Sequence, residues 1–255
     1  MKKKDIVFHL AALIAIPYSY VAPSSYIATN INGTLNILQA AKANNVSKII
    51  NTSTSEVYGT ALYTPIDDKH PLQAQSPYTA TKIGADKLSE SFTLSFNSPV
   101  ITVRPFNTFG PRQSARAIIP TIISQCFVNK NIKIGNLAPT RDFNYVSNTV
   151  DGFVWAASTS NTIGETINIG SGKEISIEDL VYLIKELVKS NSEIIIDKER
   201  LRPLKSEVNQ LLADNTKAKN ILGWEPKITL EEGLIKTINW MEKNFHRYRP
   251  DVYAT

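Results

Sequence analysis

Two short apolar segments with a helical stretch between them constrain the fold of this chain most. Lys48–Thr52 and Val100–Arg104 have the apolar, β-branched composition of buried strands. The segment between Ser76 and Asn97 has apolar residues at helical spacing, with a proline where the first turn accepts one. Because this order of elements needs a parallel crossover, the sequence predicts an α/β fold with a parallel sheet.

The rest of the chain continues this alternation of strands and helices. Further strands are predicted at Ile6–Leu10, Ile132–Gly135, Thr166–Gly170 and Ile194–Ile196. Further helices are predicted at Tyr26–Asn44, Arg116–Asn129, Ser147–Ala157, Ser176–Lys189, Thr216–Leu222 and Leu230–Asn244. The spacing of the predicted strands and helices changes after Pro111, which favours a second folding unit in the later part of the chain.

Side chains that suit acid–base chemistry follow the strand Lys48–Thr52 and open the next helix. Thr54 and Glu56 come directly after the strand, and Tyr78 and Lys82 have the i, i+4 spacing that places them on one helix face. An ammonium beside a phenol favours the phenolate, so this pair can supply a base near neutral pH. Because ligands of parallel sheets bind beyond the carboxyl ends of the strands, we expect these side chains to line one crevice.

The charge of the chain favours a small anionic ligand over nucleic acid. The 28 Lys and Arg and 23 Asp and Glu residues give a net charge of +5, but the basic residues are scattered and form one run, Lys2-Lys3-Lys4. No aromatic RNA-binding pattern or zinc-finger spacing is present. The single cysteine, Cys126, and the distant histidines predict neither a disulfide nor a metal site, which is typical of a reducing compartment.

The N-terminus is similar to a secretory signal without completing the pattern. A basic run precedes the apolar segment Ile6–Ala22, but Asp5, His9 and Pro17 break the sequence of a basic head and an apolar body. No later segment reaches the ~20 apolar residues of a membrane span. We therefore expect a cytoplasmic protein with no membrane partner, in which Ile6–Leu10 is a buried strand.

Short motifs along almost the whole chain resemble those of one enzyme superfamily. They are VFHLAA at Val7–Ala12, NINGTLNILQAA at Asn30–Ala41, STSEVYG at Ser53–Gly59, YTATK at Tyr78–Lys82, RPFNTFGP at Arg104–Pro111, RDFNYV at Arg141–Val146, NIGSG at Asn168–Gly172 and LGWEPK at Leu222–Lys227. This set resembles the extended short-chain dehydrogenase/reductases, and within them the nucleotide-sugar epimerases and dehydratases. The sequences of these motifs are most similar to those of the NAD-dependent 4,6-dehydratases of legionaminic-acid-type pathways.

This resemblance implies the fold, the cofactor and the assembly. The expected fold is α/β, with a partial Rossmann-like parallel sheet that lacks its first strands and a smaller α+β substrate-binding domain. The dinucleotide-binding domain is expected at 1–110 with 146–170, the substrate-binding domain at 111–145 and 171–245, and a loosely attached tail at 246–255. The expected cofactor is NAD, the expected ligand is a nucleotide-diphosphate sugar, and the expected assembly is a homodimer through the helices Tyr26–Asn44 and Tyr78–Phe96.

One motif of the family has no counterpart in this sequence. Family members begin with a strand and a G-x-x-G-x-x-G turn, whose backbone amides hold the pyrophosphate of NAD at a helix N-terminus. The 11 glycines of this chain are dispersed. The sequence therefore predicts a fragment, or a lineage without the cofactor half, in which about three strands are absent. A parallel sheet without those strands is expected to expose an apolar edge.

We predict that this chain binds NAD far more weakly than a relative that carries the glycine-rich turn. The reason is that the sequence offers no nest of backbone amides for the pyrophosphate. Calorimetric titration of the purified chain with NAD measures the affinity. A micromolar or tighter dissociation constant would contradict the prediction.

The resemblance also implies roles for individual residues. Tyr78 is expected to take the proton of the sugar 4-hydroxyl, Thr54 to hydrogen-bond that hydroxyl, and Lys82 to lower the pKa of Tyr78 and hold the nicotinamide ribose. The residues expected to bind NAD are Leu10, Ala11, Ala12, Thr52, Tyr78, Lys82 and Pro105. The residues expected to bind the substrate are Asn107, Arg112, Arg141 and Arg202. The arginines suit a diphosphate, because one guanidinium group can donate two parallel hydrogen bonds to phosphate oxygens. For Arg112 a solvated surface charge is an equally open interpretation.

Glu56 and Ser55 determine which reaction the resemblance favours. A carboxylate can remove the C5 proton once C4 is a ketone, and loss of the C6 hydroxyl then needs an acid. Well-known sugar 4,6-dehydratases carry an aspartate at the position of Ser55, and serine is a poor acid. The expected activity is that of an NAD-dependent nucleotide-sugar 4,6-dehydratase. A UDP-glucuronate decarboxylase, a 4-epimerase and a non-catalytic fragment remain alternatives.

Overall fold

The computed structural model describes residues 1, 4–128 and 131–253. Its strands are β1 (Ile6–His9), β2 (Lys48–Thr52), β3 (Val100–Pro105), β4 (Asn107–Phe109), β5 (Ile132–Ile134), β6 (Thr140–Arg141), β7 (Phe143–Tyr145), β8 (Thr166–Ile169), β9 (Ile175–Ser176), β10 (Ile194–Ile196) and β11 (Gln210–Leu211). Its α-helices are α1 (Ile16–Val21), α2 (Pro23–Tyr26), α3 (Gly33–Ala43), α4 (Pro77–Phe96), α5 (Ile118–Phe127), α6 (Val146–Ser158), α7 (Ile177–Val188) and α8 (Leu230–Lys243). In the part of the chain that is described, none of these helices combines the length and apolar character needed to cross a bilayer.

A parallel sheet of four strands in the order β1-β2-β3-β8 forms the centre of the first half of the chain. The register aligns the carboxyl ends of the strands, with His9 opposite Asn51, Thr52 opposite Val103, and Pro105 opposite Ile169. The predicted α/β fold with a parallel sheet is therefore confirmed. All segments that follow these strands emerge at one edge of the sheet, where ligands of such sheets bind.

β1 is the edge strand of this sheet. Ile6 is 41% exposed and Phe8 is 42% exposed, whereas the alternate residue Val7 packs against the cluster around Leu38 on α3. The prediction of a strand here is confirmed, but the prediction that it is buried is wrong, because within the described residues β1 pairs only with β2. β1 therefore presents an apolar edge with backbone groups that are not paired within the described residues.

The predicted helix Tyr26–Asn44 is interrupted by a π-helical segment at Ile27–Asn32. This segment points Asn30 into the interior, where its amide donates to Thr81 Oγ1 on α4 at 3.0 Å and its carbonyl accepts from the Leu13 backbone N–H at 2.9 Å. Asn30 thus fastens the loop after β1 to the helix that carries the Tyr–Lys pair. Such π-helical turns are frequent at functional sites.

A second hydrophobic core lies in the later part of the chain. α5, α7 and α8 surround it with strands from the small β4–β7 and β5–β10 sheets, and its fully buried residues include Ile122, Leu180 and Leu234. Its position agrees with a separate substrate-binding unit. The domain limits given above stay a prediction, because two cores do not by themselves define a boundary.

The tail is not loosely attached throughout. Tyr248 is 9% exposed, donates its hydroxyl to the Gln113 carbonyl at 3.0 Å, and packs edge-on against Trp240. This part of the prediction is wrong, because an aromatic side chain at the start of the tail joins the second core. Residues 254–255 of the tail, Lys2 and Lys3, and the predicted helix end at Asn129 lie outside the described residues.

Candidate functional site

A short 3₁₀ turn, Ser55–Tyr58, follows β2 at the carboxyl edge of the sheet. Thr54 caps it, accepting from the Glu56 backbone N–H at 3.2 Å. Gly59 ends the turn at φ +66°, a conformation that favours glycine, and an added Cβ there would lie 2.5 Å from Gln75 Oε1. This geometry buries Glu56 to 8% exposure, and its Oε2 has no hydrogen-bond partner in the described residues. The turn therefore presents a carboxylate oxygen with free accepting capacity.

Helix α4 brings Tyr78 and Lys82 to the same edge. Its start is defined by Ser76, whose hydroxyl accepts from the Thr79 backbone N–H at 3.1 Å, and by Pro77 in the first turn. Tyr78 is 6% exposed and Lys82 is 5% exposed, so both side chains face the interior. The Lys82 ammonium donates to the Thr52 carbonyl at the end of β2 at 2.5 Å.

The electrostatics of Tyr78 are set first by burial. Burial raises the pKa of Tyr78 above its ordinary value, and the charges of Glu56 and Asp86 raise it further, while a hydrogen bond with the Thr54 side chain lowers it. The direction is opposite to the lowering expected from Lys82. Since the pKa of tyrosine in water is already about 10, the Tyr78 phenol is protonated at neutral pH in this environment.

Burial also affects the neighbouring cation, Lys82. Burial lowers the pKa of Lys82, and the nearby Asp86 carboxylate opposes this effect. His9, at the end of β1, has its pKa lowered by burial and by the charge of Lys82. Its Nε2 lies 2.9 Å from Thr34 Oγ1, so His9 packs beneath the crevice as a hydrogen-bonded neutral ring.

Two arginines lie close together, one on β6 within electrostatic range of Glu56 and one in the segment before β11. Arg141, on β6, is 6% exposed, and its pKa is lowered by burial, raised by Glu56 and Glu207, and lowered by Arg202. Glu207 Oε1 lies 3.6 Å from Arg141 Nη2 and 3.7 Å from Arg202 Nη1. Arg202 Nη1 is buried without a hydrogen-bond partner in the described residues. The two guanidinium groups therefore keep donors available for an anion.

The remaining predicted site residues have fewer contacts with the groups described above. Leu10–Ala12 follow β1, Thr52 ends β2 and Pro105 ends β3, which puts all of them at the carboxyl edge of the sheet. Asn107 is in β4, with a buried Oδ1 that has no partner in the described residues. Arg112 adopts φ +68°. Among the described residues, the ion pairs of Glu207 link Arg141 and Arg202 but do not include Arg112. Its role as a phosphate ligand stays a prediction.

The residues present fit one end of an NAD molecule. Thr52 Oγ1 is buried without a partner among the described residues, beside the Lys82 ammonium that is bonded to the Thr52 carbonyl. Hydroxyl, ammonium and the Tyr78 phenol form a polar set that suits the ribose and nicotinamide. For the pyrophosphate end the sequence contains no glycine-rich turn.

Sequence reasoning missed Glu207 and Asp86. Glu207 joins Arg141 to Arg202 from a long irregular segment, and no periodic pattern signals such a contact. Asp86 lies four residues after Lys82 on α4, so extending the Tyr–Lys spacing by one more turn could have found it.

The chain is similar over almost its full length to nucleotide-sugar enzymes. The family model described as GDP-mannose 4,6 dehydratase matches residues 1–237. The dTDP-D-glucose 4,6-dehydratase of Mus musculus is 33% identical, over 98% of this chain and 71% of that protein. The UDP-glucuronate 4-epimerase of Thermodesulfobacterium geofontis is 35% identical, over 93% of this chain and 72% of that protein.

A solved structure agrees with the sequence comparisons. The UDP-glucuronic acid 4-epimerase of Bacillus cereus, in complex with UDP-glucuronic acid and NAD, superposes with a TM-score of 0.88 at 30% identity. The match covers 94% of this chain and 76% of that chain. The structural likeness therefore includes both the four-stranded sheet and the second core.

Proposed function

Because the chain belongs to the family of NAD-dependent nucleotide-sugar epimerases and dehydratases whose model is described as GDP-mannose 4,6 dehydratase, we propose that it acts as a nucleotide-sugar 4,6-dehydratase. The substrate class is a nucleotide-diphosphate hexose or N-acetylhexosamine with a hydroxyl at C6. The product is the 4-keto-6-deoxy sugar. Net loss of water balances the reaction, since the cofactor is regenerated in each turnover.

The first step uses the groups on α4 and the 3₁₀ turn. Tyr78, as the phenolate, would take the proton of the sugar 4-hydroxyl, and the neighbouring Thr54 hydroxyl would hold that group in place. Lys82 holds its ammonium at the end of β2, next to Thr52. Thr52, Tyr78 and Lys82 would hold the nicotinamide end of NAD, which would supply oxidising equivalents at C4 and reducing equivalents at C6.

The second step assigns the base to Glu56. A ketone at C4 makes the C5 proton acidic, and the Glu56 carboxylate accepts it. After exchange with water, a proton on Glu56 is later delivered back to C5. The C6 hydroxyl leaves as water when a proton reaches it. Ser55 is buried at 2% exposure and is a poor acid, so a water or another group delivers that proton.

One observation carries this proposal: a buried carboxylate with a free oxygen beside Tyr78. A 4-epimerase needs no base at C5, so a carboxylate held at 8% exposure with an unpartnered Oε2 is best explained by proton transfer. A 4-epimerase is a second candidate, supported by the similarity to UDP-glucuronate 4-epimerases. A UDP-glucuronate decarboxylase is a third, because its reaction needs no acid at C6 and is therefore compatible with Ser55.

Mass spectrometry distinguishes these activities. The purified chain is incubated with NAD and a panel of UDP-, GDP- and dTDP-linked hexoses, N-acetylhexosamines and UDP-glucuronate. We expect loss of water from a substrate with a C6 hydroxyl. Loss of carbon dioxide from UDP-glucuronate would replace the proposal with the decarboxylase, and unchanged mass with inverted C4 would replace it with an epimerase. No conversion of any sugar at saturating NAD would favour a non-catalytic protein.

We expect Arg141→Lys to weaken UDP binding at least tenfold. Lysine keeps the positive charge but cannot form the paired hydrogen bonds of a guanidinium group with phosphate oxygens, which contribute about 1.5–3 kcal/mol each. Calorimetry with UDP measures this without NAD or turnover. Arg200→Lys is the matched control, because Arg200 pairs with Asp197 rather than with Glu207. Equal affinities for both variants would remove Arg141 from the diphosphate site.

A further inference from the structure

A chain of buried polar side chains connects the two segments that carry the proposed catalytic groups. Asp86 lies on α4, on the same helix face as Tyr78 and Lys82, and Tyr58 closes the 3₁₀ turn that holds Thr54 and Glu56. Between them lies Arg104 on the central strand β3. Arg104 and Tyr58 have no part in the chemistry described so far, and Asp86 enters it through its charge, which affects the pKa values of Tyr78 and Lys82.

The contacts are continuous from the helix to the turn. The Arg104 guanidinium donates from Nη2 and Nε to Asp86 Oδ2, at 3.0 and 3.2 Å, and from Nη1 to the Tyr58 hydroxyl at 3.0 Å. Its Cζ also lies 4.9 Å from the centroid of the Tyr58 ring. Asp86 and Arg104 are each 5% exposed and Tyr58 is fully buried. We call these three residues the Asp86–Arg104–Tyr58 network.

Both ends of the network are held by neighbouring strands. Asp86 Oδ2 also accepts from Ser53 Oγ at 2.7 Å, and its Oδ1 accepts from the Asn51 amide at 3.2 Å. At the other end the Tyr58 hydroxyl donates to Asn168 Oδ1 on β8 at 2.7 Å. The network therefore spans α4, β2, β3, the 3₁₀ turn and β8, and its two ends have little freedom to move.

A buried ion pair of this kind is not the most stabilising way to fill a core. Well-packed apolar side chains of similar volume often stabilise a fold at least as much as a buried charged pair, because the charges must leave water. What the polar network adds is a fixed geometry, since each N–H group of the planar guanidinium donates at a defined distance and angle. A displacement of about 1 Å between reacting groups can lower a rate about 100-fold.

We propose that Asp86, Arg104 and Tyr58 are positioning residues, which fix the turn carrying Thr54 and Glu56 against the helix face carrying Tyr78 and Lys82. This inference rests on the proposed function, because it assumes that these two pairs act on one sugar. None of the three residues touches substrate. They act through the backbone of the 3₁₀ turn and of α4.

Tyr58→Phe tests the proposal with the smallest change. It removes one hydroxyl and keeps the ring against Arg104. We expect kcat of the proposed reaction, or the rate of solvent-deuterium exchange at sugar C5, to fall at least tenfold, with KM within about twofold of the original. Tyr63→Phe is the matched control, because Tyr63 is 46% exposed and its hydroxyl bonds Asp67, outside the network. A Tyr58→Phe protein with an unchanged kcat would overturn the proposal.

Amide hydrogen exchange decides the question independently of turnover. The amides of Val57 and Gly59, which bond the Thr54 and Glu56 carbonyls, report on the turn. We expect both to exchange at least tenfold faster in Tyr58→Phe, with amides of α7 unchanged. Arg104→Lys keeps the charge without the fork and should give the same local pattern. Exchange that is unchanged at Val57 and Gly59, or faster everywhere, would overturn the positioning role even if no sugar is converted.

Discussion

Glu56→Gln is expected to stop elimination while leaving oxidation at C4 largely intact. The amide has nearly the size of the carboxylate but cannot accept the C5 proton, and general acid–base groups of this kind contribute about 10²–10⁴-fold to rates. Exchange of the C5 proton with solvent deuterium reports the step directly. With NAD and a substrate that the chain converts, we expect this exchange to fall at least 100-fold.

Two comparisons make the Glu56 experiment specific. Glu90→Gln is the matched control, since Glu90 pairs with Lys87 on the exposed side of α4 and lies outside the crevice. Glu56→Asp keeps a base but shortens its reach, so it should retain more exchange than Glu56→Gln. A Glu56→Gln protein that still forms the 4-keto-6-deoxy product at near the original rate would show that Glu56 is not the base.

The parts of the fold that sequence predicted well are those with local causes. β2 matches its predicted limits, because an apolar run ends there in a polar cluster. α7 begins where the hydroxyl of Ser176 accepts from the Asp179 backbone N–H, at the start predicted for this helix. α4 begins after Ser76 and ends before Asn97 for similar reasons. Caps and periodicity act within a few residues, so they are visible in the sequence.

The parts that sequence could not predict depend on distant packing. The direction of the Tyr78 pKa follows from burial and from the charges of Glu56 and Asp86, whereas the i, i+4 spacing revealed only Lys82. Glu207 contacts Arg141 from a segment far along the chain. The π-helical segment at Ile27–Asn32 has no cap or breaker of its own, and its role is evident only from the contacts of Asn30. Contacts between segments so far apart in the chain leave no local pattern in the sequence.

Asp142 illustrates the same limit, because the motif RDFNYV drew attention to its arginine rather than its aspartate. Asp142 is fully buried and accepts from the backbone N–H groups of Ser171, Gly172 and Ala213, at 2.6, 2.9 and 3.2 Å. Gly170 permits this approach, since an added Cβ there would lie 2.7 Å from Asp142 Oδ2 and 2.4 Å from Ala213 Cβ. The carboxylate therefore ties the loop after β8 and the segment after β11 to the strand that carries Arg141.

Asp142→Ala is expected to lower the free energy of unfolding by about 4 kcal/mol. The change leaves three buried N–H groups without acceptors, and each such loss costs about 1–3 kcal/mol, partly relieved by relaxation and water entry. Urea denaturation measures the effect as a lower midpoint at an unchanged slope. Asp151→Ala is the matched control, because Asp151 is about half-exposed and forms a distant ion pair with Lys227, and such surface changes stay within about 0.5 kcal/mol. A loss below about 1 kcal/mol in Asp142→Ala would mean that these loops keep their positions without the carboxylate.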